Sequence, residues 1–251
     1  MPFVFRCLLL LTVLFTATPG RAVTLEEANA FFKAKDYAKA AAACEDLIKS
    51  EGVTASRLYN LGNARFELHE YGPAILAYER AALLAPRDPD ILANLKLARK
   101  TTASYEEAPS RPWHEAALYG LSLHEWSWAA IAGAVLPALA LLVWGIAGFP
   151  RPWVKRAVIG SIVLGILSGS LAGYALWYRR AETKLGIITA AEPVLRLSPF
   201  AEAGAAGSPG TGRRVELGEH HNGWVYVTVS GSTIFKGWLP EKDAPPLMVA
   251  E

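Results

Sequence analysis

The feature that most constrains the fold is an internal repeat. Tyr37 and Tyr71 lie 34 residues apart (71 − 37 = 34), and three further pairs share this spacing: Asn29 and Asn63, Ala30 and Ala64, and Ala40 and Ala74. A period of this size is typical of stacked helical hairpins, in which each unit buries its apolar face against the next. Such stacks form concave surfaces that hold other proteins. The period therefore favours a binding protein.

The second copy of the repeat is the better formed one. It contains LYNLGNARF from Leu58 to Phe66 and YGPAILAYERA from Tyr71 to Ala81, and Pro86 ends the unit. Gly62 is expected to let the two helices of the hairpin approach closely, and Ala28 takes its place in the first copy. This pattern resembles a tetratricopeptide repeat.

The resemblance implies an all-α domain with two repeats and a cap. The repeats are residues 23–54 and 55–88, and residues 89–100 form a capping helix in which Leu92 and Leu95 repeat earlier apolar positions. At least about three repeats are usually needed for independent stability. We therefore expect a marginal domain that relies on partners or on its own dimer.

Asparagines are the candidate ligand-binding residues of the repeat groove. In tetratricopeptide repeats the first helices line the concave face, where asparagines bind peptide backbone, and the resemblance places four such residues there: Asn29, Asn60, Asn63 and Asn94. The alternative is that they only stabilise the hairpins by hydrogen bonding. The family's clamp for a terminal carboxylate needs basic residues where this chain has Leu25, Asp90 and Asn94, which disfavours that ligand.

The amino terminus resembles a secretory signal. Residues 1–22 contain Arg6, the apolar run Cys7–Phe15 and small residues before a plausible cleavage point at Ala22. The alternative is an uncleaved anchor, and both interpretations export the chain that follows. After cleavage Cys44 would be the remaining cysteine, so no internal disulfide would form. We expect it to serve in packing.

Two segments have the composition of transmembrane helices. Residues 126–149 and 157–178 contain no charged residue, and each is long enough to cross a hydrocarbon core. Aromatic residues mark their ends, as at membrane interfaces: Trp126, Trp128, Trp144, Trp153, Trp177 and Tyr178. Buried helices of a soluble protein are the competing interpretation. The chain also lacks the intramembrane charges that mark transport routes.

The signal decides the expected topology, because the basic residues on the two sides are nearly balanced. With the linker of residues 101–125 exported, residues 150–156 form a cytoplasmic loop. Both soluble domains then face the periplasm of a two-pass inner (cytoplasmic) membrane protein. The second span carries Gly165, Gly169 and Gly173, whose spacing favours close helix packing, either within the hairpin or between copies of the chain.

Residues 184–251 are expected to form a small all-β domain. Short strands are predicted at Arg214–Leu217, Trp224–Val229 and Lys236–Pro240, and a Gly- and Ala-rich segment over residues 203–212 precedes them. The order of these segments is similar to a bacterial SH3-like barrel. Three aromatic residues are candidate ligands for a peptide or glycan: Trp224, Tyr226 and Trp238. We expect, however, that at least one of the tryptophans belongs to the core.

The sequence contains no recognisable catalytic motif or cofactor fingerprint, so we expect no enzyme, no cofactor and no metal site. His220 and His221 are interpreted as a solvated turn, because adjacent strand residues face opposite ways. Residues 23–100 carry equal numbers of basic and acidic residues, which disfavours nucleic-acid binding.

The order of the parts resembles BatE-like proteins of the bacterial aerotolerance (Bat) operon. That resemblance implies an adaptor that works beside membrane proteins with von Willebrand A domains and a MoxR-type ATPase, in envelope assembly or stress tolerance. Our first hypothesis is therefore a non-enzymatic scaffold. The alternatives are a protein that anchors or senses peptidoglycan through the SH3-like domain, and an assembly subunit of an enzyme.

Overall fold

The computed structural model describes residues 24–102, 117–147, 152–229 and 234–248. The predicted signal of residues 1–22 lies outside the described residues, as do most of the predicted linker and the start of the predicted cytoplasmic loop. The described chain is mostly helical and carries one six-stranded antiparallel sheet. We call residues 24–102 the helical domain and residues 185–248 the β-domain.

Five helices build the helical domain. They are α1 (Leu25–Lys33), α2 (Tyr37–Glu51), α3 (Ala55–Glu67), α4 (Tyr71–Leu84) and α5 (Pro89–Thr101). Side chains of the preceding residues cap four of them by accepting hydrogen bonds from first-turn amides: Thr24, Asp36, Thr54 and Asp88. Such caps satisfy backbone groups that a helix end leaves without partners. The helix boundaries are thus specified locally.

The two hairpins share the same turn. Lys35 and His69 occupy equivalent positions, and both adopt a left-handed backbone, with φ of 62° and 60°. In each turn the amide of that residue and the amide of the next donate back to carbonyls near the helix end, as in a Schellman motif. The 34-residue period is therefore also a period of backbone geometry.

Gly62 sets the distance between α3 and α4. A Cβ atom at this position would lie 2.6 Å from Cδ1 of Tyr78, whose ring is buried between the helices. The predicted close approach within the second hairpin is present. Any side chain at this position would force the Tyr78 ring to shift.

Two long apolar helices follow. Helix α6 (Leu123–Ala147) has 25 residues and α7 (Pro152–Arg179) has 28, and both are long and apolar enough to cross a membrane. They pack against each other as a hairpin. A reciprocal capping box fixes the start of α6, because Ser122 and Glu125 each bind the other's backbone amide.

The contact between α6 and α7 uses fewer small residues than the glycine spacing suggests. Gly165 packs against Gly133 and Pro137, where an added Cβ would clash with the Gly133 carbonyl and the proline ring. An added Cβ at Gly169 or Gly173 would meet nothing within 4 Å. Of the three predicted glycines, Gly165 is therefore the one at which the described hairpin leaves no room for a side chain.

The β-domain contains strands joined in the order β1-β4-β5-β6-β2-β3. They are β1 (Leu185–Ile187), β2 (Leu195–Arg196), β3 (Ala205–Gly207), β4 (Arg214–His221), β5 (Trp224–Val229) and β6 (Phe235–Pro240). Asn222 and Gly223 connect β4 to β5 with φ of 48° and 81°. Positive φ at both positions is the signature of a tight two-residue hairpin.

Two expectations about the β-domain are wrong, and one strand was not predicted. That strand, β3, lies inside the Gly- and Ala-rich segment of residues 203–212. His220 and His221 belong to β4, and the turn begins one residue later. Neither Trp224 nor Trp238 enters the core, which small branched side chains fill: Ile188, Leu195, Val215, Val225, Val227, Val229, Leu239 and Ala244.

The β-domain packs against α4 of the helical domain, which the sequence did not predict. Ile75 shares a buried apolar cluster with Ile187 and Leu247. The guanidinium group of Arg80 donates to the carbonyl oxygens of Pro246 at 2.8 Å and Leu247 at 3.2 Å. The two domains therefore form one body.

A buried carboxylate lies at this contact. The Glu79 side chain on α4 is 5% exposed and accepts hydrogen bonds from Arg99 on α5 and, at 2.7 Å, from Arg214 on β4. Burial of a carboxylate is tolerated when charged partners and hydrogen bonds replace its lost water. Glu79 thus links the last helix of the helical domain to the β-domain.

The hairpin of α6 and α7 is joined to the β-domain by a short connection. A short 3-10 turn, Arg180–Lys184, leads from α7 into β1. At its start Arg179 is buried, contacts Glu182 at 3.3 Å and donates to the Leu121 carbonyl at 2.7 Å. The end of α7 is therefore held against the segment that precedes α6.

Candidate protein-binding groove and aromatic face

The helical domain has a small concave pocket of about 230 Å³. Side chains from α1, α3, α4 and α5 line it: Phe32, Asn63, Phe66, Glu67, Tyr78, Asn94 and Leu97. All of these except Tyr78 come from the first helix of a hairpin or from the final helix. We call this pocket and its rim the groove.

The four predicted asparagines pair with one another across neighbouring first helices. Asn60 donates to the amide oxygen of Asn29 at 3.0 Å, and Asn94 donates to that of Asn63 at 2.9 Å. The alternative role in stabilising the stack is thus present in the structure. Asn63 and Asn94 also line the pocket, whereas Asn29 and Asn60 do not.

Tyr78 fixes the orientation of the Asn63 amide. Its hydroxyl donates to the Asn63 oxygen at 2.7 Å, and burial, followed by the neighbouring Tyr59, raises the pKa of Tyr78. The hydroxyl consequently stays protonated and remains a donor. Asn63 is therefore held with its oxygen toward the core.

The sequence contained a signal for the apolar part of the groove. Phe32, Phe66 and Leu97 each lie three residues after a predicted asparagine, and residues three apart are neighbours on a helix surface. Leu97 is 50% exposed. An apolar side chain and an amide thus recur together along the groove.

Glu67 gives the groove its charge. It is exposed at the rim, next to Tyr37. Loss of hydration and then the Glu67 charge raise the pKa of Tyr37. The described lining residues include no lysine or arginine. The groove therefore combines amide, apolar and anionic surface.

The three predicted aromatic residues share the outer face of the sheet. Trp224, Tyr226 and Trp238 are half-buried, and Tyr226 packs edge-on against Trp238 with ring centroids 5.4 Å apart. His221 extends this row, with its ring 6.5 Å from Trp238. Arg196 pairs with Trp238 from the neighbouring strand. We call these side chains the aromatic face.

A wider depression of about 680 Å³ lies elsewhere on the β-domain, beside Lys184. His220 lines it and its ring contacts the Glu241 carboxylate at 2.8 Å. His221 contacts Trp238 instead. The two histidines therefore point to different surroundings and do not form a common site.

Comparison of the chain with protein-family models, with curated proteins and with solved structures gave no match. The functional argument therefore depends on the groove, the aromatic face and the apolar hairpin themselves.

Proposed function

We propose that this protein is a non-enzymatic, membrane-anchored scaffold that holds a protein partner in the groove. The observation that carries the proposal is the composition of the groove, in which Asn63 and Asn94 lie beside the exposed Leu97. Amides recognise peptide backbone, and exposed apolar side chains gain free energy when a partner covers them. The β-domain packs on α4 and leaves this surface open.

In this proposal the helical hairpins are tetratricopeptide repeats and the β-domain is an SH3-like barrel. The shared turn at Lys35 and His69 supports the repeat assignment, since it recurs with the sequence period. The short antiparallel strands and their tight hairpin support the barrel assignment. The order of parts supports the proposal that the chain is BatE-like. That proposal implies von Willebrand A-domain membrane proteins and a MoxR-type ATPase as partners.

The proposed location is the inner membrane, with both soluble domains in the periplasm. Helices α6 and α7 form a hairpin, so a chain that crosses the bilayer twice returns to the same side. The contact of Arg80 with the Leu247 carbonyl needs both domains on one side of the membrane. The signal-like residues 1–22 favour the outer side.

The test is affinity purification of the full-length protein from its native membranes, followed by identification of co-purifying proteins. Leu97→Asp places a charge in the groove, so we expect specific partners to be lost. Leu92→Asp is the matched control, because Leu92 lies on the same helix, is 43% exposed and does not line the pocket. Retention of every partner by the Leu97→Asp protein would contradict the proposal.

The second candidate function is binding of cell-wall glycan or peptide by the aromatic face. The observation that favours it is that Trp224, Tyr226 and Trp238 all lie outside the core, where they offer flat apolar surface. Full-length protein in detergent should then sediment with purified peptidoglycan, and Trp238→Ala should remove this sedimentation. The Leu97→Asp protein keeps the aromatic face intact. If it lost sedimentation to the same extent as Trp238→Ala, binding by the aromatic face would be contradicted.

A further inference from the structure

We infer that the groove takes an extended segment of its partner, away from the partner's carboxyl terminus, in which one apolar side chain stands beside a lysine or arginine. This inference rests on the proposed function and specifies the partner chemistry. It combines three properties of the lining: hydrogen-bonding capacity left over by the asparagine pair, the size of the pocket and the sign of its charge.

The asparagine pair leaves one donor and one acceptor for a ligand. The Asn63 oxygen accepts from Tyr78 and Asn94, and the Asn94 amide nitrogen donates to Asn63 and, at 3.1 Å, to Tyr59. Among the described residues, neither the Asn63 nitrogen nor the Asn94 oxygen has a side-chain or backbone partner. A peptide unit offers one carbonyl and one N–H, which matches this pair.

The pocket fits one side chain. Its volume of about 230 Å³ is smaller than the roughly 300–1,000 Å³ of sites that enclose whole small molecules. Its apolar walls are Phe32, Phe66 and Leu97. A leucine, methionine or phenylalanine that projects from a bound backbone would cover the exposed part of Leu97.

The charge of the groove selects the neighbouring residue of the ligand. Among the described lining residues Glu67 is the one charged side chain, and it is exposed at the rim. A lysine or arginine next to the apolar residue gains an ion pair there. A free terminal carboxylate meets a like charge instead, so the ligand segment does not end at the bound residues.

The experiment measures binding of synthetic decapeptides to the full-length protein in lipid nanodiscs. Each peptide has blocked ends and carries one leucine, methionine or phenylalanine in a Gly and Ser background, followed by lysine, glutamine or glutamate. A parallel set ends in a free carboxylate directly after the apolar residue. We expect the lysine peptides to bind about two- to five-fold more tightly than the glutamine peptides, as for an exposed ion pair.

Glu67→Gln should remove this preference, and Glu67→Lys should transfer it to the glutamate peptides. Glu26→Gln is the matched control, because Glu26 is exposed on α1 and does not line the pocket. A lysine preference that persists in both Glu67 variants, or tightest binding by the free-carboxylate set, would overturn this inference and leave the scaffold proposal standing. Failure of every peptide to bind the unmodified protein would overturn both.

Discussion

Glu79 is the residue whose replacement tests the contact between the two soluble domains. Its carboxylate is buried on α4 and binds both Arg99 and Arg214, so Glu79→Gln removes one negative charge from between two positive ones. Glutamine keeps the volume and one acceptor oxygen. Its amide group, however, presents donors to a guanidinium group that also only donates.

The expected cost is about 3 kcal/mol. Breaking a buried ion pair by removing one partner costs roughly 3–5 kcal/mol. The lower end applies here, because the Arg99 and Arg214 side chains retain 26% and 36% exposure and can turn toward water. For a protein of this size about 1 kcal/mol corresponds to roughly 2–4 °C in Tm, which predicts a loss of about 6–12 °C.

The assay is thermal unfolding of the full-length protein in detergent, monitored by its tryptophan fluorescence. Glu219→Gln is the control, because Glu219 is exposed on β4, and we expect its effect to stay within about 0.5 kcal/mol. Equal melting temperatures for the two variants would refute the reasoning, since they would show that the Glu79 contact does not hold the domains together.

Three further predictions concern the same body. Gly212→Ala should lower Tm more than Gly223→Ala, as measured by melting curves of the two proteins. Both residues have positive φ, but only at Gly212 would the new Cβ also clash with Ile75 on α4. Burial, and secondarily a neighbouring carboxylate, raises the pKa of Cys44 to about 11, so the folded state holds this proton more tightly than the unfolded state. The resulting stability is full below about pH 8.5 and is lost as pH rises toward 11, and Cys44→Ala should flatten this part of a plot of Tm against pH. Gly72→Ala should lower Tm more than Gly160→Ala, because an added Cβ at Gly72 would lie 2.8 Å from the Thr189 backbone of the β-domain and one at Gly160 would meet nothing within 4 Å. Equal melting temperatures for these two proteins would show that the domains are separated.

The helical hairpins could be predicted because their determinants are local in sequence. The capping residues Thr54 and Asp88, the close approach at Gly62 and the recurring turns act within one hairpin, so a single copy of the motif contains the information. The apolar hairpin was predictable for the same reason, because uninterrupted hydrophobicity over a long segment is also a local property.

The docking of the β-domain depends on residues far apart in sequence. Arg80 binds carbonyl groups more than 160 residues later in the chain, and no spacing rule connects such positions. One local signal was present, because the α4 sequence is apolar on nearly all sides. In the structure the helix is buried on most of them, including at Gly72, Ile75 and Glu79. A helix that is apolar all round needs cover on every face. The hairpin partners alone do not provide that cover.

The sequence identified the residues of the aromatic face, but it did not predict that both tryptophans lie outside the core. Trp224 and Trp238 have the size and apolarity typical of core residues, whereas the narrow interior between short strands accommodates Val225, Val227 and Leu239 instead. The strand β3 escaped prediction because its residues, alanine and glycine, have low strand propensity. Its pairing with β2 and the fit of Phe235 against Gly207 place it in the sheet.

The central claim is that a partner protein lies in the groove, and site-specific photo-crosslinking tests it most directly. A benzoylphenylalanine residue at the position of Phe66, which lines the pocket, should give a discrete adduct with one or a few proteins when native membranes are irradiated. The same residue at the position of Leu92, exposed on α5 outside the pocket, should give none of these adducts. Identical adducts from the two positions, or no adduct at Phe66, would contradict the account.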